Sequence, residues 1–518
     1  MIDAKLKNVT SEISTEQMHK IIICTPSGDE LIFTVKGTFL RDILLEKGYK
    51  VYSPCGGNGT CGKCIVSVLG EGHVRSCRYI VDHDITIFLP DDSEMEILQS
   101  QHQFTIKTEV SLKQEYKCEY KPVGIAIDLG TTTIVYYLVC LERGVVMSTI
   151  ADINPQAIYG ADVISRINFC ITEKDGLVQI NRLTVDEINM KIYFLLSSNN
   201  IDISGLVRLT FTGNTTMMHI IAGEQPDGIA LAPFRPLFVK HRLLSSGSTG
   251  LIPEVNAEVH LLPSISAYVG SDVVAGLSSI KIEDLDTCLY IDIGTNGEMA
   301  LVSGNKILCC ATAAGPAFEG ANIKCGMGAF AGAVNKYGKN GYSTIGNSVP
   351  TGICGSGLVD VVAYLLNEGI LSDDGDLPEP FVLFKGNEAD DKNSVIIDQA
   401  DVREVQLAKG AIAAGMQILL KKAGLKWANI DKMIIAGGFG NYINIENAIR
   451  IGLLPSGMKG KIVQLGNTAG AGAVNALISD LSIDEMSKLA EQCEYIELSY
   501  EAEFASEFVM NMPFRKTL

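Results

Sequence analysis

Cysteine is concentrated at one place in the chain: Cys55-Gly-Gly-Asn-Gly-Thr-Cys61-Gly-Lys-Cys64, with Cys77 after twelve further residues. Four thiolates suit an iron–sulfur cluster or a zinc ion. The glycines let the loop take left-handed conformations and approach closely, so that its N–H groups can donate to inorganic sulfide. Zinc sites usually pair two short knuckles. Here three ligands share one loop and the fourth stands alone, which favours the cluster and leaves zinc as the alternative. The other ten cysteines, the Cys309-Cys310 pair included, lie in apolar contexts and read as core residues.

A second kind of chemistry is written twice. Asp128 ends an apolar run and is followed by Gly130-Thr131-Thr132-Thr133; Asp292 ends another and is followed by Gly294-Thr295-Asn296-Gly297. Such a turn points N–H groups and hydroxyls at a phosphate. The Asp can hold Mg2+, which then bridges phosphate oxygens. Gly437-Gly438 after a third apolar run lets a flat ring approach the backbone, as an adenosine would. Neither a P-loop nor a strand-linked G-x-G-x-x-G occurs. Two readings stand for Glu298: it positions an attacking water, or it is a solvated strand residue. Asp272, after a Gly-Ser turn, is either a helix cap or an acid of the catalytic cleft, and the cap is the favoured reading. Gly315-Pro316-Ala317 and Thr351-Gly-Ile-Cys-Gly-Ser-Gly357 either line the cleft or make packing turns.

The elements that must position these residues follow from the pattern. Strands are expected at 20–25 and 30–35, joined through Pro26-Ser27-Gly28. Thr38 is expected to cap a helix over 39–46 that stops at Gly48. With strands at 65–69 and 85–89, residues 17–90 make a small mixed sheet with a helix across it. Residues 91–121 are polar and read as a linker, with a short helix near 93–103. Beyond it the pattern is α/β. Strands 124–129, 134–139 and 209–212 are echoed by 288–293, 298–302 and 433–436. The echo implies duplicated lobes at 122–276 and 277–518, with a ligand cleft between them.

Composition sets the outer bounds. A length of 518 residues exceeds one ordinary core, so two or three domains are expected. A net charge of −18 argues against nucleic acid as partner. No apolar run reaches the ~18 residues that span a bilayer, and the first residues lack a signal-peptide core. A cytoplasmic protein without a membrane partner is expected, and its cysteines then need a reason other than disulfides.

The cysteine loop resembles that of the [2Fe-2S] ferredoxins of the β-grasp fold. Its x5 spacing is like the adrenodoxin branch, although Cys77 lies nearer to Cys64 than the fourth cysteine does in ordinary plant or adrenal ferredoxins. Asp128–Thr133, Asp292–Gly297 and Ile435-Ala-Gly-Gly-Phe-Gly440 resemble the two phosphate motifs and the adenosine motif of the superfamily of actin, sugar kinases and heat-shock chaperone ATPases. The implied fold is an α+β ferredoxin-like domain followed by an α/β two-lobed, actin-like ATPase domain. Cys55, Cys61, Cys64 and Cys77 would be cluster ligands, and Asp128, Asp292 and Glu298 catalytic.

In this order the two parts are similar to the reductive activators of corrinoid proteins. That resemblance implies an ATP-hydrolysing electron-transfer activase. It would pass one electron through the cluster to return Co(II) of a corrinoid methyl carrier to Co(I) for a methyltransferase system. The donor would be a low-potential ferredoxin or flavodoxin, and the resemblance allows a homodimer. Two other functions compete: a redox-sensing ATP-binding regulator, and an activator of another low-potential enzyme such as a 2-hydroxyacyl-CoA dehydratase. Activators of the latter kind lack a ferredoxin domain, so the cysteine loop counts against that one.

Overall fold

The computed structural model describes residues 18–25, 28–49, 51, 57, 64–89, 122–280, 286–386, 394–440 and 442–515. Cys55, Cys61 and the expected linker at 91–121, with its helix near 93–103, lie outside the described residues. The chain forms two compact units, one of residues 1–94 with 157–161, the other of 95–156 with 162–518.

The first unit is built on a five-stranded mixed sheet. Its spatial order is Gly28–Val35, Met18–Thr25, Ile85–Phe88, Ile65–Val68, Gly72–Arg75. Met18–Thr25 runs antiparallel to Gly28–Val35 and parallel to Ile85–Phe88. Helix Leu40–Glu46 buries Leu40, Ile43 and Leu44 against Ile21, Ile23 and Ile87. The helix begins one residue later than expected, and Thr38 does not cap it. Thr38 and Phe39 form a two-residue strand paired with Ile80–Val81, and the Thr38 hydroxyl donates to the Val35 carbonyl at 2.9 Å. The N-cap position is Phe39, which has no capping side chain, and the Thr38 hydroxyl points back to Val35 instead.

Two six-stranded sheets organise the second unit. The first has the order Val145–Ile153, Thr133–Cys140, Val123–Leu129, Leu206–Gly213, Glu258–Leu261, Arg242–Ser245. The second has the order Ile462–Gly466, Lys432–Ala436, Thr287–Ile293, Gly297–Ser303, Lys306–Thr312, Cys493–Tyr495. In each, the strand carrying the motif Asp is flanked by its sequence successor, antiparallel, and by a strand far along the chain, parallel. Both faces of such central strands are covered, which is why Val123–Leu129 and Thr287–Ile293 read as almost continuous apolar runs.

Helices Ser271–Ser279 and Thr468–Ile478 pack against each other so closely that a Cβ on Gly472 would lie 2.1 Å from the Ala275 carbonyl oxygen. Thr468–Ile478, late in the chain, buries Ala473, Val474 and Leu477 in a core shared with Ala126, Tyr137 and Val139 of the first sheet. The Thr210 hydroxyl also donates to the Ala473 carbonyl at 2.9 Å. The late chain thus crosses back onto the early sheet. Among the described residues no helix is long and apolar enough to cross a membrane.

Candidate nucleotide site and cysteine pair

The motif turns sit at corresponding ends of the two sheets. Gly130 N–H donates to the Thr133 carbonyl at 3.0 Å, and a Cβ on Gly130 would stand 2.7 Å from that oxygen, so only glycine closes this turn without strain. Gly294 N–H makes the equivalent bond to the Asn296 carbonyl at 2.9 Å. Asp292 lies directly opposite Glu298 in the antiparallel ladder, whereas Asp128 faces Val135. The second lobe therefore supplies two acids where the first supplies one. Glu298 is buried, which removes its reading as a solvated strand residue.

Four carboxylates share this neighbourhood. Burial pushes Asp292 up to about 8, helped by the charges of Asp272 and Asp128. Burial pushes Asp128 up to about 7 against the opposing hydrogen bond from Asn467. Asp272 and Glu298 are raised by the same burial, Glu298 also by Asp272 and Asp292. Asp128, Asp272 and Asp292 each keep a partly exposed edge. Asp272 was expected as a cap. The N-cap position of Ser271–Ser279 is Gly270, and Asp272 is the second residue of the helix, in its first turn, close enough to the other acids to raise them.

The hydroxyls meet from both sides. Thr132 and Thr295 each donate at 2.8 Å to the same oxygen, Oε2 of Glu319. Thr131 is held from its own lobe: Asn214 Nδ2 donates to its hydroxyl at 3.0 Å, and Arg166 Nη2 to its carbonyl at 2.6 Å. Asn467 Nδ2 donates to Asp128 Oδ2 at 2.7 Å. Gly437, at φ +85°, abuts Asp292: a Cβ there would stand 2.4 Å from Oδ1. Gly438 faces open space. Gly297 differs from the other motif glycines, because a Cβ on it would meet Thr312 Oγ1 at 2.8 Å and Ile412 at 3.0 Å; its smallness serves packing. Gly355 and Gly357 likewise pack, against the carbonyls of Phe318 and Val334.

These groups fit a magnesium polyphosphate. Buried carboxylates forced together are relieved by a divalent cation, and the paired hydroxyls suit an oxyanion. Among the described residues no three acids, histidines or cysteines converge as a closed metal cage. Mg2+ keeps waters and phosphate oxygens beside one or two carboxylates, a role Asp128 and Asp292 could fill.

In the first unit Cys64 and Cys77 are both buried, and Ser76 N–H donates to the Cys64 carbonyl at 2.8 Å, so that the backbone next to Cys77 pairs with Cys64. The Ser76 hydroxyl is buried without a partner. Gly57, inside the cysteine loop, has φ +92°, and a Cβ on it would stand 2.7 Å from Arg41 Nη1. Two buried thiols and a left-handed glycine in the loop are of the kind a sulfide cluster requires.

Sequence reading missed Glu319, Asn467, Asn214 and Arg166. Each is a single polar residue outside the motif turns. The only available signal was Asn before a helical run, at Asn214 and Asn467, both of which do cap helices.

A family model described as the C-terminal domain of RACo, the ASKHA domain, matches residues 286–518, and the RACo middle region matches 123–284. The chain is 29% identical to the corrinoid activation enzyme RamQ of Eubacterium limosum, over 94% of this chain and 98% of that one. It is 27% identical to the Co(II) methylated amine-specific corrinoid protein reductase of Methanosarcina barkeri, over 71% and 72%. A solved reductive activator for a corrinoid, iron–sulfur protein superposes with a TM-score of 0.71 at 29% identity, covering 96% of this chain and 98% of that one. With adjoining family models from residue 123 to the last, and relatives of this kind along nearly its whole length, the chain belongs to the RACo family of reductive activators of corrinoid proteins.

Proposed function

We propose that this protein uses ATP to drive single electrons onto a corrinoid protein, returning its cobalt from Co(II) to Co(I). The observation that carries the ATP half is the convergence of Thr132 and Thr295, from two separate Asp-x-Gly-Thr turns, on one oxygen position. Asp128 and Asp292 would meet Mg2+. The turns 130–133 and 294–297 would surround the phosphates, and Gly437-Gly438 would admit the adenosine. Glu298, buried beside Asp292, would orient the attacking water.

For the electron half, Cys55, Cys61, Cys64 and Cys77 would hold a [2Fe-2S] cluster on a ferredoxin-like β-grasp domain. The burial of Cys64 and Cys77 and the sheet-and-helix architecture of residues 18–89 support this reading. Such a cluster supplies one-electron transfer near about −400 mV. An acceptor ~120 mV lower would be reduced about a hundredfold less than at equal potentials, since ~59 mV is a factor of ten for one electron. Nucleotide-driven movement of the lobes would offset that deficit. The electron would arrive from a low-potential ferredoxin or flavodoxin, and the protein would work as a homodimer.

The test follows Co(II) loss and Co(I) appearance spectroscopically in the corrinoid protein of the same gene neighbourhood. Co(I) should accumulate with ATP and not without it. Full reduction by the ordinary donor without ATP would refute the reading.

A further inference from the structure

Glu319 stands between the two motif turns. It ends the short 3-10 helix Pro316–Glu319, closed by Gly320 at φ +79°, where a Cβ would strike the Met327 backbone at 2.4 Å. The helix end is therefore fixed, and it aims the carboxylate between the two motif turns. Both motif hydroxyls, Thr132 and Thr295, donate to one carboxylate oxygen at 2.8 Å. Two hydroxyls on one anionic oxygen is the arrangement a phosphate oxygen would accept from these turns. Phe318, the preceding residue, stacks on Phe439 with ring centroids 4.9 Å apart, next to the Gly437-Gly438 turn.

We infer that Glu319 is a latch that competes with the nucleotide: in the nucleotide-free protein it takes a phosphate oxygen's place, ties the two lobes together, and is displaced when the phosphates enter. The inference rests on the nucleotide reading of this cleft. It follows from charge and donor number. A hydroxyl has one proton, so Thr132 and Thr295 cannot donate to Glu319 and to a phosphate at once. Two anions cannot share that position either. Entry of phosphate therefore breaks both bonds that run from the two motif turns to this common oxygen. Through the Phe318–Phe439 stack, the same displacement reaches the adenosine side of the cleft. Glu319 is a positioning residue here, and the chemistry does not require it to touch the reacting atoms.

The test uses the full-length protein and its Glu319→Gln and Glu319→Ala variants, titrated with Mg-ADP by calorimetry, with thermal melts of each in the absence and presence of saturating Mg-ADP. Glu319→Gln keeps an accepting oxygen and removes the charge, and Glu319→Ala removes both bonds; Mg-ADP binding should tighten roughly tenfold in the first and up to about a hundredfold in the second. The same variants should melt lower than wild type without nucleotide and alike with it, because the latch is already open in the bound state. A residue of merely structural value would lower both melts and leave affinity unchanged, and that result overturns the inference. Weaker binding in both variants also overturns it, since Glu319 would then be a nucleotide ligand. Glu319→Gln keeps the shape of the side chain and carries the test alone should Glu319→Ala fail to fold. Failure of wild type to bind Mg-ADP would instead strike the nucleotide reading itself, and the latch with it.

Discussion

Asn467 does two jobs with one amide. Its oxygen accepts the Gly470 N–H at 2.7 Å and caps helix Thr468–Ile478; its nitrogen donates to Asp128 at 2.7 Å. The two can be separated. Asn467→Ser keeps a capping oxygen and loses the reach to Asp128, whereas Asn467→Ala loses both. A cap is worth about 1 kcal/mol, and a hydrogen bond to a charged group about 1.5–3 kcal/mol. Because Asp128 keeps a partly exposed edge, the lower end applies. The serine variant should therefore lose about 1.5 kcal/mol and the alanine variant about 2.5 kcal/mol. The chain has one tryptophan, Trp427, in the second unit, so its fluorescence during urea unfolding reports on that unit alone. Mg-ATP hydrolysis is the second readout. Both variants should lose a similar factor, roughly tenfold, in kcat/KM, since each removes the amide that donates to the Asp128 carboxylate. Wild-type hydrolysis by the serine variant would show that the bond to Asp128 has no part in the site, and that Asn467 is only a cap.

Gly437→Ala places a methyl group 2.4 Å from Asp292 Oδ1 on a left-handed backbone, a conformation that costs a non-glycine residue roughly 1–2 kcal/mol; steady-state ATPase assays should show kcat falling at least about tenfold. Gly438→Ala, at a position open in the structure, should keep its stability and raise the KM for ATP. Asp128 and Asp292 titrate near 7 and 8 when folded, above the ordinary carboxylate range, so the folded protein binds the extra protons. Their contribution to stability is full below about pH 4 and is lost as pH rises through 7 to 8. Mg2+ favours the ionised forms, so the rise in melting temperature it causes should be larger at pH 8 than at pH 6; equal rises would refute its placement at these acids. Cys77→Ser should abolish the visible cluster spectrum and leave the Trp427 unfolding curve unchanged, because the two units have separate cores.

The central strands could be read from sequence because a strand covered on both faces must be apolar throughout, and the Asp that ends it stands out. Val123–Leu129 and Thr287–Ile293 lie within a residue of their expected limits for that reason. The short strand Ile80–Val81 carried too few residues to show a period and was not expected. Thr38 shows the limit of a local rule: its type suits a cap, and a ladder partner 43 residues away claims it instead.

By itself the sequence determined which residue types stand at which strand ends: cysteines in a glycine-rich loop, and Asp followed by Gly-Thr in duplicate. Those are local properties, because a tight turn and a close backbone approach are decided by neighbours in the chain. The tertiary structure decided which side chains meet across the cleft. Glu319 reaches Thr132 over 187 residues, and Asn467 reaches Asp128 over 339. No period or motif encodes such a meeting. It exists because Thr468–Ile478 buries its apolar face on the early sheet and carries its capping amide to the first Asp, and because Gly320 stops a short helix where its last carboxylate falls between the two turns.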